Sequence, residues 1–100
     1  MRGSRHISVV MPARDEEALI ESSIASVPQW VDLLVVVDDG SLDATRVRAL
    51  KALQSGGRDV RTGALISTEG VGVGGAIAAG YDEVIRRVDE GEASHGDWAA

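Results

Sequence analysis

Leu33-Leu34-Val35-Val36-Val37 runs directly into Asp38-Asp39-Gly40-Ser41-Leu42-Asp43, five aliphatic residues followed by an acidic, turn-forming stretch. An unbroken apolar run of that length is the pattern of a strand buried on both faces, as in a parallel sheet covered by helices. The same alternation recurs on either side of it. Ile7-Ser8-Val9-Val10-Met11 is a short β-branched strand stopped by Pro12, and Pro12-Ala13-Arg14-Asp15-Glu16-Glu17 is the loop after it. Ile20, Ile24 and Val27 then form one apolar helical face, which Pro28 ends. The three acids of the loop and first turn suit the positive end of that helix's dipole.

Downstream, a helix is expected from about Ala44 to Gln54, with Val47, Leu50 and Leu53 on one side, Asp43 as its N-cap and Gly56-Gly57 as its stop. A third strand over Val60 to Ile66, the loop Ser67-Thr68-Glu69 and a glycine cluster lead into a helix from about Gly74 to Val88. Its apolar face is Ile77, Tyr81, Val84 and Val88. Residues 89–97 read as polar loop, and Trp98-Ala99-Ala100 as the first residues of a further strand. Strand and helix alternating three times predict an α/β fold, a three-stranded parallel sheet with flanking helices and right-handed crossovers. In such sheets ligands bind beyond the carboxyl ends of the strands, where all three connecting loops lie.

One hundred residues suffice for one domain, 1–100, and not for two. With no Phe and only Trp30, Tyr81 and Trp98 as aromatics, the core must be aliphatic. Ten basic against sixteen acidic residues give a net charge of -6, which argues against a nucleic acid or an anionic membrane held by bulk electrostatics. There is no Cys, so disulfides, thiolate catalysis and Cys-zinc sites are excluded. No apolar run reaches the roughly 18–20 residues of a membrane span, and no signal-peptide core follows the basic start, so a cytoplasmic location is expected. His6 and His95 have no neighbours at metal-ligand spacing and read as surface residues. Asp82-Glu83 and Asp89-Glu90-Gly91-Glu92 read as solvated faces or loop.

The adjacent carboxylates Asp38 and Asp39 are the most informative pair. Placed directly after a buried strand, they repel each other and need donors: backbone N–H groups, a nucleobase, ribose hydroxyls or a metal. A second reading has Asp38 capping the following loop while Asp39 faces solvent.

The loop Pro12-Ala13-Arg14-Asp15-Glu16-Glu17 after one strand, Val35-Val36-Val37-Asp38-Asp39-Gly40-Ser41-Leu42-Asp43-Ala44-Thr45 after the next, and Gly72-Val73-Gly74-Gly75-Ala76-Ile77 with Gly80-Tyr81 together resemble the N-terminal half of family 2 glycosyltransferases. The resemblance covers about Ile7 to Val88 and is nearest to the polyprenyl-phosphate sugar transferase branch. It implies the Rossmann-like GT-A fold, here cut before its fourth strand. It also implies transfer of a sugar from a UDP- or GDP-linked nucleotide-diphospho-sugar to an acceptor such as a polyprenyl phosphate. Carried over residue by residue, the nucleoside is held by Pro12, Ala13, Arg14, Glu16 and Asp39, with Asp38 and the Val37 backbone beside them. A carboxylate can accept from a base N–H such as the imide of uracil. The five acids Asp15, Glu16, Glu17, Asp38 and Asp39 would repel phosphates, so the diphosphate points away. Arg14 stands where relatives carry an aromatic; its guanidinium can stack on the base or pair with a nearby acid.

Two features limit the resemblance. Gly70, Gly72 and Gly75 match the dinucleotide fingerprint G-x-G-x-x-G, which would suggest NAD, but they follow the third strand and leave the Asp pair unexplained. The family's Asp-x-Asp motif, which binds Mg2+ or Mn2+ at the diphosphate, has no counterpart in this sequence, and neither a catalytic nor a metal-ligating residue is assigned. The chain is therefore expected to be the nucleotide-binding half of a transferase, catalytically incomplete alone and located in the cytoplasm or, in a longer form, at the inner face of a membrane. By resemblance the strand order is 3-2-1-4. The first strand is then an open edge, which predicts self-association or pairing with a separate C-terminal half. A non-catalytic nucleotide-binding module and a remnant without a ligand remain alternatives.

Overall fold

The computed structural model describes residues 6–28, 30–55 and 62–89. Six elements follow in turn: β1 (Ser8–Ala13), α1 (Ile20–Ala25), β2 (Leu33–Asp39), α2 (Thr45–Ser55), β3 (Thr62–Thr68) and α3 (Gly72–Asp89). The strands are parallel in the order β1-β2-β3, with Val10 opposite Val35 and Val35 opposite Ala64. This is the α/β architecture expected from the alternation, and β1 forms one edge of the described sheet. The glycine stop after α2, the strand start at Val60, the loop over 90–97, residues 98–100 and His95 lie outside the described residues, as does the side chain of Val88.

The pleat of β2 sorts its side chains onto two faces. Leu34 and Val36 join Ile20, Ile24 and Ala49 under α1 and α2. Leu33, Val35 and Val37 join Ala64, Ala76 and Val84 under α3. All five are at most 3% exposed, and removing each from water contributes roughly 1.5–3 kcal/mol. A central strand covered on both faces explains why its sequence is an unbroken aliphatic run rather than an alternating one.

Four details differ from the sequence reading. First, β1 continues through Pro12 to Ala13 instead of stopping at Met11. The Ile7 carbonyl accepts the Leu33 amide, so alternate residues, including position 12, turn their backbone away from β2, and a proline there breaks no ladder bond. Second, β2 runs through both aspartates and β3 through Ser67 and Thr68, expected as loop, because Asp38 pairs in register with Ser67 and Asp39 with Thr68; α3 then begins at Gly72, two residues earlier than expected. Third, α2 turns Thr45, Ala49, Ala52 and Leu53 inward and leaves Val47 and Leu50 exposed. Fourth, the inward stripe of α3 is Ala76, Gly80 and Val84: Val84 faces inward as expected, but Ala76 and Gly80 take the places expected for Ile77 and Tyr81, and Tyr81 is exposed. Small residues win both helical faces because they let the helix axis approach the sheet. A Cβ on Gly80 would stand 3.2 Å from Val37 Cγ2 and closer still to Val10 Cγ1.

Candidate functional site

The carboxyl ends of the strands bring three loops together, and between the end of β1 and the start of α3 they leave a cleft of about 300 Å3. Pro12, Ala13, Arg14, Glu16 and Asp39, all singled out from the sequence, line it. Gly72, Val73 and Ala76 from the first turns of α3 complete it. Val37 and Asp38 are not lining residues: Val37 is buried under α3, and Asp38 is 5% exposed with Oδ1 accepting the Ser41 amide at 3.3 Å. Asp38 thus closes the turn after β2.

Asp39 does not face solvent; it is 4% exposed. Its Oδ1 accepts the Thr68 hydroxyl at 2.6 Å and the Val71 amide at 2.8 Å, and its Oδ2 accepts the Gly72 amide at 2.9 Å. The register that places Thr68 beside Asp39 therefore lets a strand residue cap the N-terminus of α3 from outside the helix. These bonds, the Thr68 hydroxyl first and the Val71 amide next, hold the Asp39 carboxyl below the usual carboxylate range against the opposing effect of burial. Asp43 is held below its usual range chiefly by the Thr45 hydroxyl, and its Oδ1 also accepts the Thr45 amide at the start of α2.

The acids of the first loop do not serve α1, whose first residues have no side-chain cap. Asp15 Oδ1 instead accepts the Leu42 amide at 2.8 Å, and Glu17 Oε1 accepts the Ala44 amide at 2.9 Å. The loop after β3 packs against the other two. Gly40, with φ +79°, lies so near it that a Cβ would be 3.0 Å from the Gly70 nitrogen. A Cβ on Gly70 would lie 4.0 Å from both terminal nitrogens of Arg14, so the guanidinium rests over this glycine at the mouth of the cleft.

This arrangement fits a small polar ligand with an apolar face: two carboxylates, one guanidinium and an apolar wall from Pro12, Val73 and Ala76. It does not fit the dinucleotide fingerprint, which needs free amides for a pyrophosphate, since the Val71 and Gly72 amides are taken by Asp39. Among the described residues, no three His, Cys, Asp or Glu side chains gather to hold a metal ion, and no helix is long and apolar enough to cross a membrane. The sequence reading missed the contribution of α3 to the cleft. The signal available was Gly72-Val73 directly after a strand, since a helix that starts at a strand's carboxyl end opens onto the site.

Residues 8–85 match the model of glycosyl transferase family 2. Glucosyl-3-phosphoglycerate synthase of Mycobacterium tuberculosis is 51% identical over 53 residues, covering 49% of this chain and 16% of the relative. The enzyme of the same name from Mycolicibacterium paratuberculosis is 49% identical over 55 residues, covering 51% and 17%. The crystal structure of the Mycobacterium tuberculosis enzyme with Mn2+, UDP-glucose and glycerol 3-phosphate superposes with a TM-score of 0.52 at 38% identity, covering 66% of this chain and 22% of that one. A second structure, with Mn2+, UDP and phosphoglyceric acid, gives the same values. The chain therefore spans less than a quarter of these relatives' length.

Proposed function

The chain belongs to glycosyltransferase family 2, and on that premise we propose that its cleft binds the nucleoside end of UDP-glucose as the donor part of a sugar transferase. The observation that carries this reading is the state of Asp39. Hydrogen bonds from the Thr68 hydroxyl and the Val71 and Gly72 amides, with the Gly70 amide acting in the same direction, fix an ionised carboxylate that borders the cleft. The imide N–H of uracil is the complementary donor. Because α3 and Thr68 already fix the carboxylate, it is held in place at the cleft wall for that N–H. Glu16 would take ribose hydroxyls, and the Arg14 guanidinium would cover the open face of the base. Glu16 and Asp39 together repel a diphosphate, which directs it out of the cleft.

UDP is preferred over GDP because both superposed crystal structures contain uridine nucleotides. The acceptor we propose is a phosphorylated three-carbon acid, following the relatives' name, in place of the polyprenyl phosphate expected from the sequence. The reaction is attack of an acceptor oxygen on the anomeric carbon with release of UDP. Divalent metal accompanies the nucleotide in the relatives' structures, but the described residues of this chain do not fit a metal site, and no step is assigned to one.

Calorimetric titration of the purified chain with UDP, UDP-glucose, GDP and NAD tests the proposal. Binding of UDP and UDP-glucose that is lost in Asp39→Asn, with GDP and NAD silent, is the expected result. NAD binding, or UDP binding untouched by Asp39→Asn, would overturn it.

A further inference from the structure

Ser41, Asp43 and Thr45 alternate from the loop after β2 into the first residue of α2, while Asp15, Glu16 and Glu17 are consecutive in the loop after β1. Each of the first three side chains accepts one backbone amide of the second three. Ser41 Oγ takes the Asp15 amide at 2.8 Å, Thr45 Oγ1 the Glu16 amide at 2.7 Å and Asp43 Oδ2 the Glu17 amide at 3.3 Å. The exchange is returned, since the Asp15 and Glu17 carboxylates accept the Leu42 and Ala44 amides. Arg48 Nη1 adds a bond to the Glu17 carbonyl at 3.0 Å.

The result is a sorting of side chains. Drawing Asp15 and Glu17 onto the second loop leaves Arg14 and Glu16, the alternate residues, as the ones that line the cleft. Asp15 sits at φ +52°, a left-handed conformation that aspartate adopts more readily than most non-glycine residues, and its bonds to Ser41 and Leu42 hold it there. Thr45 is the centre of the clasp. It is fully buried, and its hydroxyl donates to Asp43 Oδ1 while accepting the Glu16 amide.

We propose that Ser41, Asp43 and Thr45 are positioning residues for the cleft, clasping the loop of residues 14–17 so that Arg14 and Glu16 present their side chains to the ligand. None of the three lines the cleft itself. The proposal rests on the reading of the cleft as a UDP-sugar site and adds to it the residues that set its shape. It also gives the acidic run a physical role: Asp15, Glu17 and Asp43 are backbone acceptors that join two loops, so their charges are turned away from the ligand.

Thr45→Val keeps the shape of the side chain and removes both of its hydrogen bonds, whereas Thr45→Ser keeps the hydroxyl. Titration of the full chain with UDP-glucose should show about tenfold weaker binding for Thr45→Val at unchanged stoichiometry of folded protein, and Thr45→Ser within about twofold of wild type. Ala64→Gly, in β3 and remote from both loops, loses stability without a change in Kd, which separates positioning from general destabilisation. If Thr45→Val does not fold, Ser41→Ala in the same clasp carries the test, with faster amide hydrogen exchange at residues 15–17 as the second readout. Binding by Thr45→Val or Ser41→Ala as tight as wild type, or loss of affinity in Ala64→Gly as well, overturns the proposal. A wild-type chain that binds neither UDP nor UDP-glucose overturns the reading of the cleft itself, and the exchange rates then report separately whether the clasp holds the loop.

Discussion

Replacing Gly80 by alanine tests whether α3 packs onto the sheet as closely as its small-residue stripe implies. Alanine in place of glycine within a helix gains up to about 1 kcal/mol from backbone propensity. At Gly74, in the first turn of α3, nothing lies within 4 Å of an added Cβ, so no clash offsets that gain. At Gly80 the added methyl meets Val37 Cγ2 at 3.2 Å and is closer still to Val10 Cγ1. Both neighbours are β-branched and stiff at χ1, and both belong to the sheet, so they yield little. Overpacking of this kind costs about 1–3 kcal/mol. The gain at position 74 and the net loss at position 80 should therefore separate the two variants by about 1–3 kcal/mol, with Gly74→Ala the more stable. Urea unfolding followed by far-ultraviolet circular dichroism measures both, and an unchanged slope would show that the unfolded ensemble is not the cause. Equal stabilisation of Gly74→Ala and Gly80→Ala would refute the close approach, and with it the position of the α3 N-terminus against Asp39.

Gly40→Ala combines a left-handed φ of +79° with a Cβ 3.0 Å from the Gly70 nitrogen, so it should cost at least about 1 kcal/mol in unfolding experiments and weaken UDP binding by displacing the loop after β3. Asp39 and Asp43 both have folded-state values below their ordinary ones, so their contribution to stability is fully present above about pH 4 and is lost as pH falls through the lower folded values. Asp39→Asn removes one of the two from titration and should flatten the acid limb of a stability–pH curve below about pH 4; an unchanged limb would contradict the assigned hydrogen bonds. Glu83 pairs with Arg86 and Arg87 along α3, and Glu83→Gln should lower the unfolding free energy by roughly 0.5 kcal/mol at low salt, an effect that high salt abolishes.

The sheet was legible because β2 is covered on both faces, so its side chains read as a short, valine-rich aliphatic run bounded by turn residues. The helical faces were not. Val47 and Leu50 look like a core stripe, yet α2 buries Thr45 and Ala49, since a threonine with two hydrogen-bond partners and a methyl-sized neighbour fit the space between helix and sheet. Likewise Tyr81 looks like a core residue, yet it is exposed and Gly80 takes the inward position at that level of the helix, where a Cβ would already crowd Val10 and Val37. Residue size predicts burial when the partner surface is distant; close approach reverses the preference, and nothing in a single helix's sequence reports the distance.

The candidate site was legible in part. Five residues expected around the nucleoside do line one cleft, because they lie at the carboxyl ends of neighbouring parallel strands. The purpose of the acids was not legible. Asp15 and Glu17 read as favourable charges at a helix N-terminus, whereas they bond amides of a loop 27 residues away in sequence, a pairing that only the register of β1 on β2 brings about.

The central claim is that a uridine nucleotide sits between the end of β1 and the start of α3 with its base on Asp39. Two-dimensional amide NMR of the labelled chain, titrated with UDP, tests this most directly. The account predicts shifts concentrated at residues 13–16, 39–40 and 70–76, and their disappearance in Asp39→Asn. Shifts elsewhere, on α1 or the outer face of α2, or no shifts from a folded chain at millimolar UDP, would contradict it.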